Sequence, residues 1–255
     1  MLVDLVHRLI GLIVLVLILA RLSSWISIHL QGIAFLLTRN QNIATFFMFL
    51  ILAPGVFVHE LSHWLMARLL GVPVRGFRVW PKRTKGGNIQ MGAVEVRGAG
   101  PLSLALIGVA PFVVGTVILV VLGGWLQARP QGLADWRLWF SAEGWQTLSG
   151  FFHQSSWPWR FYAIWLISNS MMPSASDRDP LNPLLAGFLL LAVVAYFAGI
   201  TPKVLGPLYG PLLNLFDILA GAFLLAVIGN VVVASLLFVT ERALGFLLGV
   251  HVQYS

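Results

Sequence analysis

Cysteine is absent from this chain, which excludes disulfides, Cys-ligated metals and thiol catalysis. Charge is scarce as well. Only 10% of the 255 residues are Asp, Glu, Lys or Arg, against about 25% in ordinary soluble domains. Hydrophobic residues make up 58% and the mean hydropathy is +0.88. A soluble protein of that composition would expose large apolar patches and aggregate. These quantities point to a single membrane-embedded domain over residues 1–255, mostly helical, with the lipid bilayer as its solvent. The little charge present is biased, with 16 Lys+Arg against 9 Asp+Glu. Such an excess can mark nucleic-acid binding, but in a membrane chain it marks cytoplasmic loops, so no nucleic-acid partner is expected. A short charged start (Asp4, Arg8) precedes the apolar Leu9–Ala20 without a small-residue cleavage site, and reads as a retained first helix.

The apolar runs predict about six transmembrane helices, an all-α polytopic architecture. The first run, Leu5–Leu37, is interrupted by Arg21, Ser23 and Ser24 and fits either one long helix or two. A second helix starts near Gln41 and Asn42 and runs to Leu70, where Gly71 and Pro73 supply a stop. Val74–Arg97 differs in kind: it is basic, carries Gly86-Gly87-Asn88 at its centre and has strand formers on either side. That pattern predicts a small β-hairpin at the membrane surface between the second and third helices. Further spans are expected at Leu102–Leu122, about Trp159–Met172, Leu184–Ile200 and Leu212–Phe238. The loop from Gly123 to Trp145 offers Trp125, Trp136, Trp139 and Trp145 as interfacial anchors. The hairpin carries more Lys and Arg than any other connection, so the positive-inside rule places it in the cytoplasm, together with the end of the second helix and the break at residues 173–180. Asp217 is then expected at the opposite leaflet.

The second helix contains His59-Glu60-Leu61-Ser62-His63. Two histidines four residues apart share a helical face and can bind one metal ion. Glu60 sits beside the first ligand, where it can act as general base on a zinc-activated water. Chance matches to this pattern occur in soluble helices. Inside a membrane segment, however, three ionisable groups within five residues carry an insertion cost of a few kcal/mol each, which marks them as functional candidates. A catalytic zinc takes a third protein ligand. Asp177 and Asp179 lie in the polar break on the expected side of the bilayer, and either can supply it. Glu95, Glu143, Glu241, His153 and Asp217 are placed less favourably.

These residues resemble the site-2 protease family of intramembrane zinc metalloproteases, over roughly residues 43–190. That family combines a membrane His-Glu-x-x-His helix, a following β-hairpin and a distant aspartate ligand in an Asn-x-x-Pro…Asp-Gly segment. Here the order is His59–His63, the basic hairpin, then Asn169…Pro173…Asp177, and the eight-residue step from Asn169 favours Asp177 over Asp179. Gly100-Pro101 looks like the family's Gly-Pro helix start. Pro173 stands one place late, Arg178 replaces the glycine after the aspartate, and Leu104 stands where the family has a polar residue. The resemblance implies a zinc-dependent endopeptidase acting on a membrane protein substrate in or near its transmembrane segment. His59, His63 and Asp177 would hold Zn2+, with Glu60 as general base and the active site toward the cytoplasmic side. Membrane metalloproteases with a glutamate third ligand fit less well, because Glu is rare here. The non-enzyme alternative is a membrane scaffold or metal-ion transporter, for which Asp217, Asn214 and Asn230 would form part of a path.

Overall fold

The computed structural model describes residues 2–83, 89–123, 141–142, 146, 149–150, 152–172, 174, 177, 179 and 201–250. Its principal helices are α1 (Leu2–Thr38), α2 (Gln41–Leu69), α3 (Pro101–Leu122), α4 (Trp157–Ser170) and α5 (Thr201–Leu248). Between α2 and α3 lie four short strands, β1 (Val74–Arg78), β2 (Lys82–Arg83), β3 (Ile89–Gln90) and β4 (Ala93–Val96). Four helices, α1, α2, α3 and α5, are long and apolar enough to cross a membrane. The 14 residues of α4 reach only about 21 Å at 1.5 Å per residue, short of a hydrocarbon core of about 30 Å. The expected span at Leu184–Ile200 and most of the Trp-bearing loop lie outside the described residues. The first apolar run is one helix, and the last extends well beyond Leu212–Phe238 at both ends.

Local chemistry sets the helix ends. Arg39 takes a left-handed conformation (φ 52°), which turns the chain sharply after α1. Asn40 then caps α2, its side chain accepting from the backbone of Asn42 and Ile43 at 2.9 and 3.4 Å. This two-residue connection makes α1 and α2 antiparallel neighbours. At the other end Gly71 adopts φ 69°, and Val72 N–H bonds back to the Ala67 carbonyl at 2.8 Å, closing α2 as a glycine C-cap does. Pro101 opens α3 after an N-cap Gly100, a position where its missing N–H costs nothing.

Helices α1 and α5 run parallel. Asp4 accepts from Tyr209 at 3.1 Å, Arg8 pairs with Asp217, and His29 bonds Glu241 at 2.5 Å, so the partners ascend both helices together. Asp217 therefore lies at the end where α1 begins and, α1 and α2 being antiparallel, where α2 finishes. The expectation that Asp217 faces the leaflet opposite the histidine motif is overturned. The cause is the Arg8 guanidinium, the cation that satisfies the buried Asp217 carboxylate.

The expected hairpin is present between α2 and α3. β1 pairs antiparallel with β4 and β2 with β3, with a break in the ladder at Val79–Pro81 and Met91–Gly92. It folds back along α2. Phe77 packs edge-on to Phe57, and Trp80 meets Phe49 with ring centroids 5.1 Å apart. Val79 and Met91 join the cluster of Met48, Phe49, Leu52, Val56, Trp165 and Leu166. The physical reason is the run of apolar side chains on these strands, which finds its partner on the flank of α2.

Lipid tails are as apolar as leucine, so helices in a bilayer associate through close packing and polar pairs rather than hydrophobic expulsion. Both devices appear where α4 enters the bundle. A Cβ on Gly55 of α2 would lie 2.6 Å from Ser170 Oγ, and one on Gly115 of α3 would overlap Met171. Glycine is what allows α4 to approach both helices so closely. On its other side Asn169 Nδ2 donates to Asn230 Oδ1 at 2.7 Å, Asn230 Nδ2 donates to Ser168 Oγ at 2.9 Å, and Ser23 Oγ donates to the Asn169 carbonyl at 3.1 Å. This polar cluster ties α1, α4 and α5, each bond contributing on the order of 0.6 kcal/mol.

Candidate metal centre

His59 and His63 project from one face of α2 toward the end of α4 and the segment that follows it. Each imidazole is anchored through Nδ1. His59 Nδ1 donates to the Ser170 carbonyl at 2.6 Å, and His63 Nδ1 donates to the Ile107 carbonyl at 2.7 Å. A carbonyl can only accept, so each Nδ1 carries a proton, and a ring in its neutral form then presents an Nε2 lone pair. Both carbonyls are available because a helical ladder is broken. Ser170 is the last residue of α4, whose final carbonyls have no intrahelical donor. Ile107 stands four residues before Pro111 inside α3, and proline has no N–H to give back.

The two Nε2 atoms face each other at 3.2 Å, and a carboxylate completes the group. His63 Nε2 lies 3.4 Å from Asp177 Oδ1, and His59 Nε2 lies 3.7 Å from Asp177 Oδ2. One donor atom from each of the three residues falls within 4.8 Å of the others. Donors on a tetrahedral ion with bonds of 2.0–2.2 Å sit roughly 3.3–3.6 Å apart; the two histidines each lie near that distance from a different Asp177 oxygen, so the group could hold a metal ion. Two lone pairs and a carboxylate facing one another repel unless a cation or proton lies between them.

Asp177 is positioned by its own loop. Its Oδ2 accepts from Ser174 N at 2.8 Å and Ser174 Oγ at 2.6 Å, while its N–H donates to the Ser174 carbonyl at 3.2 Å. Burial disfavours the carboxylate charge, but the adjacent His59 and His63 rings, where they are protonated, and the Ser174 hydrogen bonds outweigh it and hold the pKa below the usual 3.8. Gly108 of α3 makes this placement possible, since a Cβ there would overlap the Asp177 carbonyl oxygen.

Glu60 is 7% exposed and stands outside the His59–His63–Asp177 group. Its carboxylate lies against the hairpin at Gly92. Asp179 is exposed in a turn and takes no part in the group. Among the other acidic candidates, Glu95 faces Gly76 on the hairpin, Glu241 bonds His29, Asp217 pairs with Arg8, and Glu143 lies outside the described residues. His153 is exposed and donates to the Ser149 carbonyl at 2.8 Å.

Sequence reasoning missed Ser174, although Ser174-Ala175-Ser176-Asp177 has the Ser-x-x-Asp spacing of a capping box and could have revealed it. It also missed the roles of Ile107, Gly108 and Gly92, which no local pattern announces. Comparison of the chain with protein-family models, with curated proteins and with solved structures gives no match.

Proposed function

We propose that this protein is a multi-pass, zinc-dependent membrane endopeptidase that hydrolyses a peptide bond in or near a transmembrane segment of a membrane protein substrate. The observation that carries the proposal is the convergence of His59 Nε2, His63 Nε2 and the Asp177 carboxylate within 4.8 Å, with both Nδ1 atoms tethered to backbone carbonyls. Tethers of this kind fix tautomer and ring direction in metal sites. The resemblance to site-2 proteases supports the same reading on the motif order His59–His63, hairpin, Asp177. The basic hairpin supports a site toward the cytoplasmic side under the positive-inside rule.

His59, His63 and Asp177 would hold the ion, which when bound lowers the pKa of a coordinated water to about 7 and polarises a carbonyl. Glu60 accepts the proton of the attacking water and passes it to the departing amine nitrogen as the peptide bond breaks. Its burial excludes bulk water from that exchange.

The transport alternative loses support from the pairing of its candidate residues. Asp217 is held by Arg8, and Asn230, 0% exposed, is locked to Ser168 and Asn169. The test is metal analysis and cleavage of fluorescent casein by purified full-length protein, wild type against Glu60→Gln and Asp177→Ala. The expected result is about one zinc per chain in wild type and Glu60→Gln, cleavage only in wild type, and metal loss in Asp177→Ala. An Asp177→Ala variant that kept both zinc and cleavage would sink the assignment.

A further inference from the structure

The hairpin between α2 and α3 touches the site at one point. A Cβ built on Gly92 would lie 2.6 Å from both Cγ and Cδ of Glu60 and would overlap its Oε1. Real Cβ atoms do not approach other heavy atoms so closely. Gly92 falls in the break between the β1–β4 and β2–β3 ladders, so no strand pairing constrains it. The neighbouring residues nevertheless hold it in place. Met91 is packed into the cluster on the flank of α2. The Arg78 guanidinium joins the two ladders by donating to the Trp80 carbonyl and, at 3.2 Å, to Gln90 Oε1. The connecting segment thus presents a bare Cα to a buried carboxylate.

We propose that Gly92 is a positioning residue for Glu60: the missing side chain leaves the space in which the Glu60 carboxylate lies, beside the His59–His63–Asp177 group. The hairpin is then a wall of the site. Any side chain at Gly92 displaces the carboxylate first, because the end of a glutamate moves more easily than backbone packed on α2 through Met91. The catalytic consequence rests on the hydrolytic reading above, whereas the contact itself does not.

The absence of cysteine in the natural chain gives a test that needs neither metal nor activity. One carbon–carbon bond beyond the Glu60 Cγ, the Cβ atoms of residues 60 and 92 are at most about 4.1 Å apart, within the roughly 3.5–4.5 Å that a disulfide bridges. Under mild oxidation of the full-length protein in membranes, Glu60→Cys/Gly92→Cys should crosslink. The control Glu60→Cys/Gly100→Cys should not, since a Cβ on Gly100 meets nothing within 4 Å. No crosslink at the first pair overturns the proposal.

The second test asks whether the contact positions the base. With fluorescent casein as probe, Gly92→Ala should lower kcat by about 10–100-fold, the scale of a misplacement near 1 Å, with KM and zinc content unchanged. Gly76→Ala on the same hairpin, where a Cβ makes an ordinary 3.6 Å contact, should leave cleavage intact. Glu60→Asp withdraws the carboxylate by one methylene, so in that background the Gly92→Ala penalty should shrink to about threefold or less, the non-additivity of groups in contact. An equal penalty in both backgrounds overturns the positioning role. A crosslink in a wild-type protein that neither binds zinc nor cleaves casein sinks the hydrolytic reading alone, and a missing crosslink in an active enzyme sinks the role of Gly92 alone.

Discussion

Replacing Pro111 with alanine should move helix stability and metal affinity in opposite directions. Proline inside a helix removes one hydrogen bond and pushes its ring against the carbonyl four residues back. That carbonyl belongs to Ile107, and it accepts from His63 Nδ1 at 2.7 Å. Pro111→Ala restores an N–H that bonds Ile107 within α3 and lets the carbonyl settle back along the helix axis. The helix gains up to about 3 kcal/mol in intrinsic preference. Pro111 is fully buried, so the lost ring carbons cost about 1–2 kcal/mol at roughly 0.8 kcal/mol per methylene. The net effect on stability is neutral to favourable by about 1–2 kcal/mol. His63, in contrast, loses sole use of the acceptor that fixes its tautomer and direction. Loss of such an orienting partner weakens metal binding by about 10–100-fold. The assay is zinc competition against a chromophoric chelator, paired with thermal unfolding in the same detergent. Wild-type affinity in a folded Pro111→Ala protein would refute the claim that the freed carbonyl orients His63. A parallel fall in stability and affinity would show instead that Pro111 matters only for packing.

Three further outcomes follow from contacts already described. Gly108→Ala puts a methyl against the Asp177 backbone, its carbonyl carbon 3.3 Å away. No rotamer relieves that contact, so zinc affinity should fall by about 10–100-fold, while Gly210→Ala, with nothing within 4 Å, should bind as wild type. Ser174→Ala removes the 2.6 Å hydrogen bond to Asp177 Oδ2 and should weaken zinc by about tenfold; unchanged affinity would mean that the Ser174 hydroxyl does not hold the carboxylate. Arg8→Leu and Asp217→Leu should each destabilise the detergent-solubilised protein by roughly 2–3 kcal/mol, below the 3–5 kcal/mol of a fully buried pair because Arg8 is partly exposed. The Arg8→Leu/Asp217→Leu double variant should be more stable than either single variant in the same unfolding titration, and simple additivity would argue against the pairing.

What could be read from the sequence was whatever is local. Apolar runs marked about six spans, of which four are helices long and apolar enough to cross a membrane among the described residues. Gly71 and Gly100-Pro101 marked ends that the structure shares, and the four-residue step from His59 to His63 put two donors on one face. Asp177 was reachable through the expected topology, which put it and Asp179 at the right end of the bilayer, and the resemblance favoured the first of the two; nothing local brings it to α2. Its partner Asp179, two residues on, has the same composition around it and lies outside the group. The hairpin was legible as strands between two helices but its docking on α2 was not, since that depends on Phe57 and Phe49, distant residues whose exposure no one-dimensional pattern gives. The charge pattern misplaced Asp217 for the same reason: it counts loops and cannot see that Arg8 waits on a parallel helix.

The two orienting carbonyls show why the site forms where it does. A backbone carbonyl in a bilayer must be satisfied within the protein, and in an uninterrupted helix its own ladder does this. Helix α4 ends inside the bundle, at the depth of His59, and α3 carries Pro111 one turn beyond the Ile107 carbonyl. Each break creates one acceptor that needs a donor, and each acceptor takes the Nδ1–H of one motif histidine. The early end of α4 also releases the chain where Ser174 and Asp177 can turn back toward the same two rings. Interruptions that would weaken a simple membrane bundle therefore supply both histidine tethers and the route for the third donor. Filling in those interruptions should leave a better bundle and a poorer metal site.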